Sequence, residues 1–266
     1  MIEQVTDLDD PRLDDYRGLK GRPAKGTGGP VIVESLLGVE ALAASGLAIR
    51  SVLVSPQKLH RLPTLPAGTT VLVADLDVQR ETVGFELHRG VVASAERPAP
   101  LDPAAILAGA RRVVVAERIN DLENLGSLFR NARAFGADAV LLDPETADPL
   151  GRRPVRVSMG HVLHVPFARL DPWPDALDLV REAGLTVVAL AASRAEEGHQ
   201  AASWRDRLPE RAAMLVGAEG PGLTDRAVAA ADQCLWIPMA PGVDSINVAT
   251  AAAIALSAHA ERWSSR

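Results

Sequence analysis

Short apolar runs separated by turn residues occupy positions 31–96 of the chain. VIVESLLGVEALAASG reads as a strand running into a helix, and IRSVLVS, TTVLVAD and GVVASAE read as three further strands. RPAPLDPAA (97–105) follows, with three prolines in nine positions. Proline fixes φ and removes a backbone donor, so this stretch is predicted to be a linker.

After the linker, strand-like and helix-like segments alternate to the end of the chain. The apolar runs begin with RRVVVAE (111–117) and AVLL (139–142), and continue with LHVPF (163–167), LTVVALAA (185–192), AMLVG and QCLWIPM (233–239). Helices are predicted between them near 124–135, 173–183 and 225–231, and a long one from 246. This alternation predicts an α/β fold with a largely parallel sheet covered on both faces.

Composition narrows the class of protein. The 266 residues are 47% hydrophobic and 23% charged, which is usual for a globular chain, and no uncharged apolar run is long enough for a membrane span. The acidic N-terminus has no apolar core typical of a secretory signal, so we expect a cytoplasmic protein. Cys234 is the only cysteine, which excludes an internal disulfide and a cysteine-based zinc site.

Charge is distributed unevenly. The net charge of −6 argues mildly against a protein that coats nucleic acid nonspecifically, but two local clusters are basic. One comprises Arg17, Lys20, Arg22 and Lys25 with no intervening acid, and the other comprises Arg152, Arg153 and Arg156. They are either RNA contacts or solvated surfaces.

Three loops follow strands at the edge where an open parallel sheet binds ligands. In the first, RINDLENLGSLFRNARAFGA, Asn124 lies at a helix start, and Arg130 and Arg133 can share a helix face. An arginine there suits an anionic partner, although a surface pair with Glu123 or Asp121 is the alternative.

The second and third loops are rich in glycine and in small polar residues. Gly217, Gly220 and Gly222 in AEGPGLT follow a GxxGxG spacing, which is not the dinucleotide fingerprint and also suits a tight turn. In DSINVATAAAIAL (244–256), Ser245 is the expected N-cap of a helix built for burial, and capping does not explain Asn247. The pair His161 and His164 has no third ligand, so no metal site is predicted.

Together the loops resemble the signature motifs of the SpoU/TrmH family of RNA ribose 2′-O-methyltransferases, in the SPOUT superfamily. The matching segments are ENLGSLFRNARAFGADAVLL (123–142), LVGAEGPGLT (215–224) and IPMAPGVDSINVATAAAIAL (237–256), and VRVSMGHVLHVPF (155–167) resembles the family's connecting segment. The resemblance implies a C-terminal α/β knot, a deep trefoil, over residues 106–266. It also implies a small ribosomal-protein-like RNA-binding domain over residues 1–96, S-adenosylmethionine as cofactor, an RNA partner, and a homodimer whose sites are completed by the neighbouring subunit.

The resemblance also implies roles for individual residues. Arg130 would activate the ribose hydroxyl, with Asn124, Glu219, Ser245 and Asn247 completing the catalytic set. The cofactor pocket would be formed by Leu190, Gly217, Glu219, Gly220, Ile237, Met239, Ser245, Ile246 and Asn247. RNA would be bound by Arg17, Lys20, Arg22, Lys25, Arg130, Arg152 and Arg153.

Three functions remain open from the sequence. The first is methyl transfer from S-adenosylmethionine to a ribose 2′-hydroxyl of structured RNA, with ribosomal RNA favoured over transfer RNA by the N-terminal domain. The second is a catalytically inactive RNA-binding or ribosome-assembly protein of the same fold, against which the intact polar set argues. A nucleotide-dependent oxidoreductase comes third, because no glycine fingerprint follows a first strand.

Overall fold

The computed structural model describes residues 1–21, 28–85, 90–191 and 204–263. The chain divides into two compact units. The first comprises Met1–Ala99 with Asp148–His164, and the second comprises Pro100–Ala147 with Val165–Arg266. The segment Asp148–His164 therefore packs within the first unit, although the sequence places it in a domain spanning 106–266.

The first unit contains a five-stranded mixed sheet in the order β1-β4-β3-β5-β2. Strand β5 is antiparallel to β2 and β3, whereas β4 is parallel to β1 and β3. The strands are β1 (Ile2–Gln4), β2 (Val31–Glu34), β3 (Ile49–Val54), β4 (Thr70–Val73) and β5 (Val91–Ala95), and the helices in this part of the chain are α1 (Leu36–Ala44) and α2 (Leu76–Val83). The four strands and the helix predicted between 31 and 96 are confirmed.

Apolar side chains of the N-terminal turn region close one face of this sheet. Leu13 and Tyr16 are buried against Leu53 and Leu72. The Tyr16 hydroxyl is 2.7 Å from Ser51 Oγ, so its polar end is satisfied inside the core, and burial raises its pKa.

Polar contacts hold the inserted segment 148–164 within the first unit. Arg97 donates to both carboxylate oxygens of the buried Asp148 at 3.2 and 2.8 Å. His164 Nε2 lies 2.9 Å from the carbonyl oxygen of Ala41. Helix α5 (Arg152–Val157) lies in this segment, and packs beside β2.

The second unit is built on a six-stranded sheet in the order β11-β9-β10-β6-β7-β8, in which every neighbouring pair is parallel. The strands are β6 (Arg112–Glu117), β7 (Ala139–Leu142), β8 (Phe167–Arg169), β9 (Thr186–Leu190), β10 (Ala212–Gly217) and β11 (Gln233–Leu235). The helices are α3 (Pro103–Leu107), α4 (Leu122–Ala134), α6 (Leu177–Glu182), α7 (Asp225–Ala229) and α8 (Val248–Trp263). The predicted α/β class with a parallel sheet is confirmed.

One predicted strand is displaced, a second is shorter than predicted, and the predicted linker overlaps a helix. LHVPF was expected to be a strand, but β8 begins only at Phe167, because His161–His164 forms a 3-10 turn. QCLWIPM ends as a strand at Leu235, after which Trp236 is exposed. The predicted linker overlaps α3, whose first turn accommodates Pro103 and is capped by Asp102.

The alanine-rich helix α8 packs against α4. The small side chains allow a close approach of the two helices, and Asn131 Nδ2 donates to the carbonyl oxygen of Ala249 at 2.9 Å. In the portion of the chain that the structure describes, none of the helices combines the length and apolar character that crossing a bilayer requires.

Near its end, α8 carries a buried histidine. His259 is 1% exposed, and Arg112 Nε donates to its Nδ1 at 2.9 Å. Burial, followed by the charge of Arg112, lowers the pKa of His259 to about 4. The imidazole is therefore neutral in the folded protein throughout the neutral range.

This histidine should make stability depend on pH. In the unfolded chain His259 binds a proton near pH 6.5, whereas in the folded chain it does so only near pH 4. The folded state is therefore at its most stable, with respect to this group, above pH 6.5. The free energy of unfolding falls as the pH is lowered from 6.5 to about 4. We expect a loss of up to about 3 kcal/mol between these values. Thermal unfolding of His259→Gln between pH 7 and 4.5 should show a flatter profile than wild type, whereas His60→Gln, at an exposed histidine, should not; equal profiles for all three proteins would contradict the assignment.

Candidate active site

The polar loops of the second unit meet at one edge of its sheet. β6 ends at Glu117, β10 at Gly217 and β11 at Leu235. Since these strands are parallel, the loops that follow them leave from the same edge, where open α/β sheets bind ligands. A cleft of about 700 Å³ lies between the loops after β10 and β11, within the range typical of small-molecule sites.

This cleft brings together every residue that the sequence assigned to a cofactor pocket. Apolar side chains and glycines from three strand ends form most of its wall. The residues concerned are Leu190, Gly217, Glu219, Gly220, Ile237, Met239, Ser245, Ile246 and Asn247.

The turn after β10 requires glycine at its first position. A Cβ atom on Gly217 would lie 2.4 Å from the backbone nitrogen of Leu223 and 2.5 Å from the carbonyl carbon of Gly222. Backbone atoms cannot give way as a flexible side chain can, so no other residue is accommodated there without moving the turn. The chain folds back at this point, and Gly222 N donates to the carbonyl oxygen of Ala218 at 2.9 Å. The wall of the cleft here is therefore backbone.

One side-chain amide joins the three predicted loops. Asn247 Nδ2 donates to Asn124 Oδ1 at 2.7 Å and to Glu219 Oε1 at 2.5 Å. Asn124 is 7% exposed, and its own backbone N–H is capped by Asp121 Oδ1 at 2.8 Å. These contacts link residues 28 and 123 positions apart in the chain, so the structure brings Asn124, Glu219 and Asn247 into one polar cluster.

Asn247 also caps the last helix, a role that the sequence gave to Ser245. Helix α8 begins at Val248, and Asn247 Oδ1 accepts from Thr250 N at 3.1 Å. The Ser245 prediction was wrong by two residues, because an asparagine in the cap position satisfies the first-turn N–H as a serine would. The same amide group thus caps the helix with its oxygen and holds the polar cluster with its nitrogen.

A second pocket, of about 450 Å³, adjoins the cleft. Glu219 and Val248 contribute to the walls of both cavities. The polar residues that line the second pocket are Arg118, Asn120, Asp121, Asn124, Glu145 and Glu219. The polar cluster of Asn124, Glu219 and Asn247 therefore lies where the two cavities meet.

A buried carboxylate that the sequence analysis missed supports the glycine-rich turn. Glu117, at the end of β6, is fully buried and accepts from Trp173 Nε1 at 2.7 Å. It also accepts from the backbone nitrogen and hydroxyl of Thr224, at 2.8 and 2.7 Å. The sequence signal that could have found this residue is an acidic side chain directly after the apolar run of β6. Glu117 anchors the C-terminal end of the turn to the neighbouring strand.

Two predicted catalytic residues lie outside the polar cluster. Arg130 is on the exposed face of α4 and lines neither cavity. Within the described ranges it makes no ion pair with Asp121 or Glu123, the surface alternative raised by the sequence. Ser245 is exposed and lines the cleft.

Some of the predicted RNA-binding residues already form ion pairs within the protein. Arg17 pairs with Asp14 at 2.9 Å. Arg152 pairs with Glu34 at 2.9 Å, and its guanidinium stacks over the Phe85 ring.

Lys20 and Arg153 are exposed, and Arg22 and Lys25 lie outside the described residues.

Over the ranges that the structure describes, no group of three or more histidine, cysteine or acidic side chains is arranged to hold a metal.

Comparison with known proteins identifies the family. The profile of the SpoU rRNA Methylase family matches residues 111–257. The chain is 44% identical over 264 residues to an uncharacterized tRNA/rRNA methyltransferase of Mycobacterium tuberculosis, covering 96% of this chain and 90% of that one. It is 26% identical over 255 residues to the 23S rRNA (guanosine(2553)-2′-O)-methyltransferase of Bacillus subtilis, covering 95% and 97% of the two chains.

A solved structure agrees with these matches. The AdoMet-bound rRNA methyltransferase from Sinorhizobium meliloti superposes with a TM-score of 0.76 at 28% identity, covering 98% of both chains. The family profile spans all three loops that form the cleft and the polar cluster. The chain therefore belongs to the SpoU rRNA Methylase family of methyltransferases.

Proposed function

We propose that this protein transfers a methyl group from S-adenosylmethionine to a ribose 2′-hydroxyl of structured RNA, with ribosomal RNA as the substrate class. The observation that carries the proposal is the Asn247 amide, which joins Asn124 and Glu219 at the boundary between two cavities. One cavity is suited to a methyl donor and the other to an acceptor.

The cleft suits S-adenosylmethionine in shape and charge. Leu190, Ile237 and Met239 offer apolar contacts for an adenosine group. The backbone wall at Gly217 allows close approach of a polar ligand. Asp244 lines the same cleft and suits the positively charged groups of the cofactor. S-adenosylmethionine held by these residues would supply the methyl group and leave as S-adenosylhomocysteine, with the proton of the ribose hydroxyl released to solvent water.

The polar cluster orients the reacting groups. Glu219 and Asn124 accept from the same amide, so Asn247 holds both in fixed positions. Arg130 carries a permanent positive charge, so its proposed role is to stabilise the developing ribose alkoxide or an adjacent phosphate rather than to remove a proton.

The proposal includes a homodimer and a knotted chain. Arg130 lies on an exposed face, away from the polar cluster of its own subunit, which supports its acting in the site of a neighbouring subunit. The chain returns from β11, at the sheet edge, to pack α8 against α4 and β10. The C-terminal trefoil knot is proposed from the resemblance of residues 111–257 to the SpoU family.

Ribosomal RNA is the substrate that the relatives support. The Bacillus subtilis relative acts on 23S rRNA, and the Sinorhizobium meliloti structure is of an rRNA methyltransferase. The first unit would bind the RNA, with Lys20 and Arg153 exposed for phosphate contacts. Such a substrate would place the enzyme in the cytoplasm.

Mapping of 2′-O-methyl groups tests this function. Ribosomal and transfer RNA lacking the modification are incubated with the protein and S-adenosylmethionine, and methylated positions are mapped on both. We expect a single new 2′-O-methyl position in ribosomal RNA. Failure to bind S-adenosylmethionine at millimolar concentration would instead support the inactive RNA-binding alternative.

A further inference from the structure

The second pocket contains opposite charges that do not neutralise each other. Arg118 and Glu145 both line it. Neither side chain forms an ion pair with the other, or with any further residue among those that the structure describes. A pocket lined by an arginine and a carboxylate that do not pair with each other is suited to a ligand carrying both acceptors and donors.

The loops that carry these two residues are fastened to each other by buried groups. Asp143 is buried, and its Oδ1 accepts from Arg118 N at 3.0 Å and from Thr146 N at 2.8 Å. The buried Thr146 hydroxyl accepts from Ile119 N at 3.1 Å. Arg118 is thereby held at φ +55°, a conformation that costs a non-glycine residue energy. Because both loops are fixed, the walls of the pocket are set before a ligand arrives.

A buried group with unused hydrogen-bonding capacity faces the same pocket. Asn124 is 7% exposed and lines the pocket, and its Oδ1 is used by Asn247. Its Nδ2 donates to no group within the described part of the chain. This amide nitrogen is therefore a donor available to an acceptor on a bound ligand.

The charge of the pocket selects the part of a nucleotide that it can hold. Asp121, Glu145 and Glu219 bring three carboxylates against the one guanidinium of Arg118. This excess of negative charge repels a phosphate, so the pocket suits an uncharged group rich in N–H donors. A nucleobase is such a group.

We propose that the second pocket binds the base of the target nucleotide and that Arg118 and Glu145 select guanine. This inference rests on the proposed function. Guanine presents two adjacent acceptors, O6 and N7, which match the fork of an arginine. It also presents two adjacent donors, N1–H and N2–H, which match the two oxygens of a carboxylate. Adenine replaces the O6 acceptor by an amino group, and pyrimidines lack the N7 acceptor.

Single-atom changes in the RNA test the assignment. Once the target position is mapped, kcat/KM is measured on RNA carrying guanosine or inosine there, which differ only in the N2 amino group. We expect wild type to prefer guanosine by about 10-fold or more, since a hydrogen bond to a charged group is lost. Glu145→Gln should be slower on guanosine, through a higher KM, and should no longer distinguish the two RNAs.

A parallel pair of RNAs tests Arg118. Replacing N7 of the target guanine by carbon should slow wild type and leave Arg118→Ala unaffected. Control variants carry the same changes at the exposed Glu182 and Arg207 of the same unit, and they should keep the wild-type preferences. A target other than guanosine, or an unchanged preference in Glu145→Gln, would overturn the inference while leaving the proposed function standing.

Direct binding separates the two proposals if no RNA is methylated. In that event the proposed function fails, and guanosine and adenosine monophosphates are titrated into the full chain while backbone amide signals are followed. Guanosine should perturb the signals of residues 118–121 and 145 in wild type more than adenosine does, and the difference should vanish in Glu145→Gln. Equal responses to the two nucleotides, or none, would overturn the assignment of the pocket.

Discussion

Replacing Asn247 by aspartate should lower the rate of RNA methylation by roughly 10²- to 10³-fold, with the protein still folded. The amide nitrogen of Asn247 donates to both Asn124 Oδ1 and Glu219 Oε1. Aspartate puts a carboxylate oxygen where that donor was. This oxygen would face Asn124 Oδ1 and the Glu219 carboxylate, and the two negative charges would repel each other. Asn124 and Glu219 would move apart at the boundary between the two cavities.

The fold should survive this change because aspartate caps helices as well as asparagine does. The oxygen that accepts from Thr250 N is retained, and a negative charge at a helix N-terminus is favourable. Asn247→Ser offers a matched comparison, since serine also caps but adds no charge. Methylation rate, S-adenosylmethionine affinity and melting temperature are measured for both variants; a wild-type rate in Asn247→Asp with an unchanged melting temperature would contradict the role of the amide.

Much of the second unit could be predicted from its pattern of apolar runs. Parallel strands buried on both faces read as continuous apolar segments, so β6, β7, β9 and β10 stood out clearly. The errors lie where a tertiary contact overrides local pattern. LHVPF looks like a strand, but its first residues belong to a turn in which His164 contacts the Ala41 carbonyl within the first unit. Periodicity carries no information about that partner.

The residues that line the cleft could be predicted from the sequence, but the contacts among them could not. The residues of the three loops follow from the family motifs, and all nine predicted cofactor residues line one cleft. The amide of Asn247 nevertheless does two tasks that spacing cannot show, because its partners lie 28 and 123 residues away. Glu117 was missed for the same reason, since its donors are supplied by Trp173 and Thr224 in distant segments.

Replacing Arg130 by alanine should reduce methylation by at least about 10²-fold through loss of charge stabilisation in the transition state. Binding of S-adenosylmethionine should remain close to that of wild type, because Arg130 does not line the cleft. Stability should also be unchanged, since the side chain is exposed on α4. Arg133→Ala, one turn further along the same exposed helix face, serves as the control. An active Arg130→Ala enzyme would remove this residue from the catalytic set.

If the protein forms the proposed homodimer, mixed dimers decide in which subunit Arg130 acts. Arg130→Ala and Asn247→Asp chains carrying different affinity tags are produced together, and dimers bearing both tags are purified. If Arg130 completes the neighbouring site, one of the two sites then combines an intact Asn247 with an intact Arg130, and activity returns to about half that of the wild-type dimer. If Arg130 serves its own subunit, both sites stay damaged, and the mixed dimer is as inactive as either parent. Recovery of activity from two inactive parents would therefore establish that each site is shared between two chains. Arg130 on α4 of one chain would then act together with the Asn247 amide, at the start of α8, of the other.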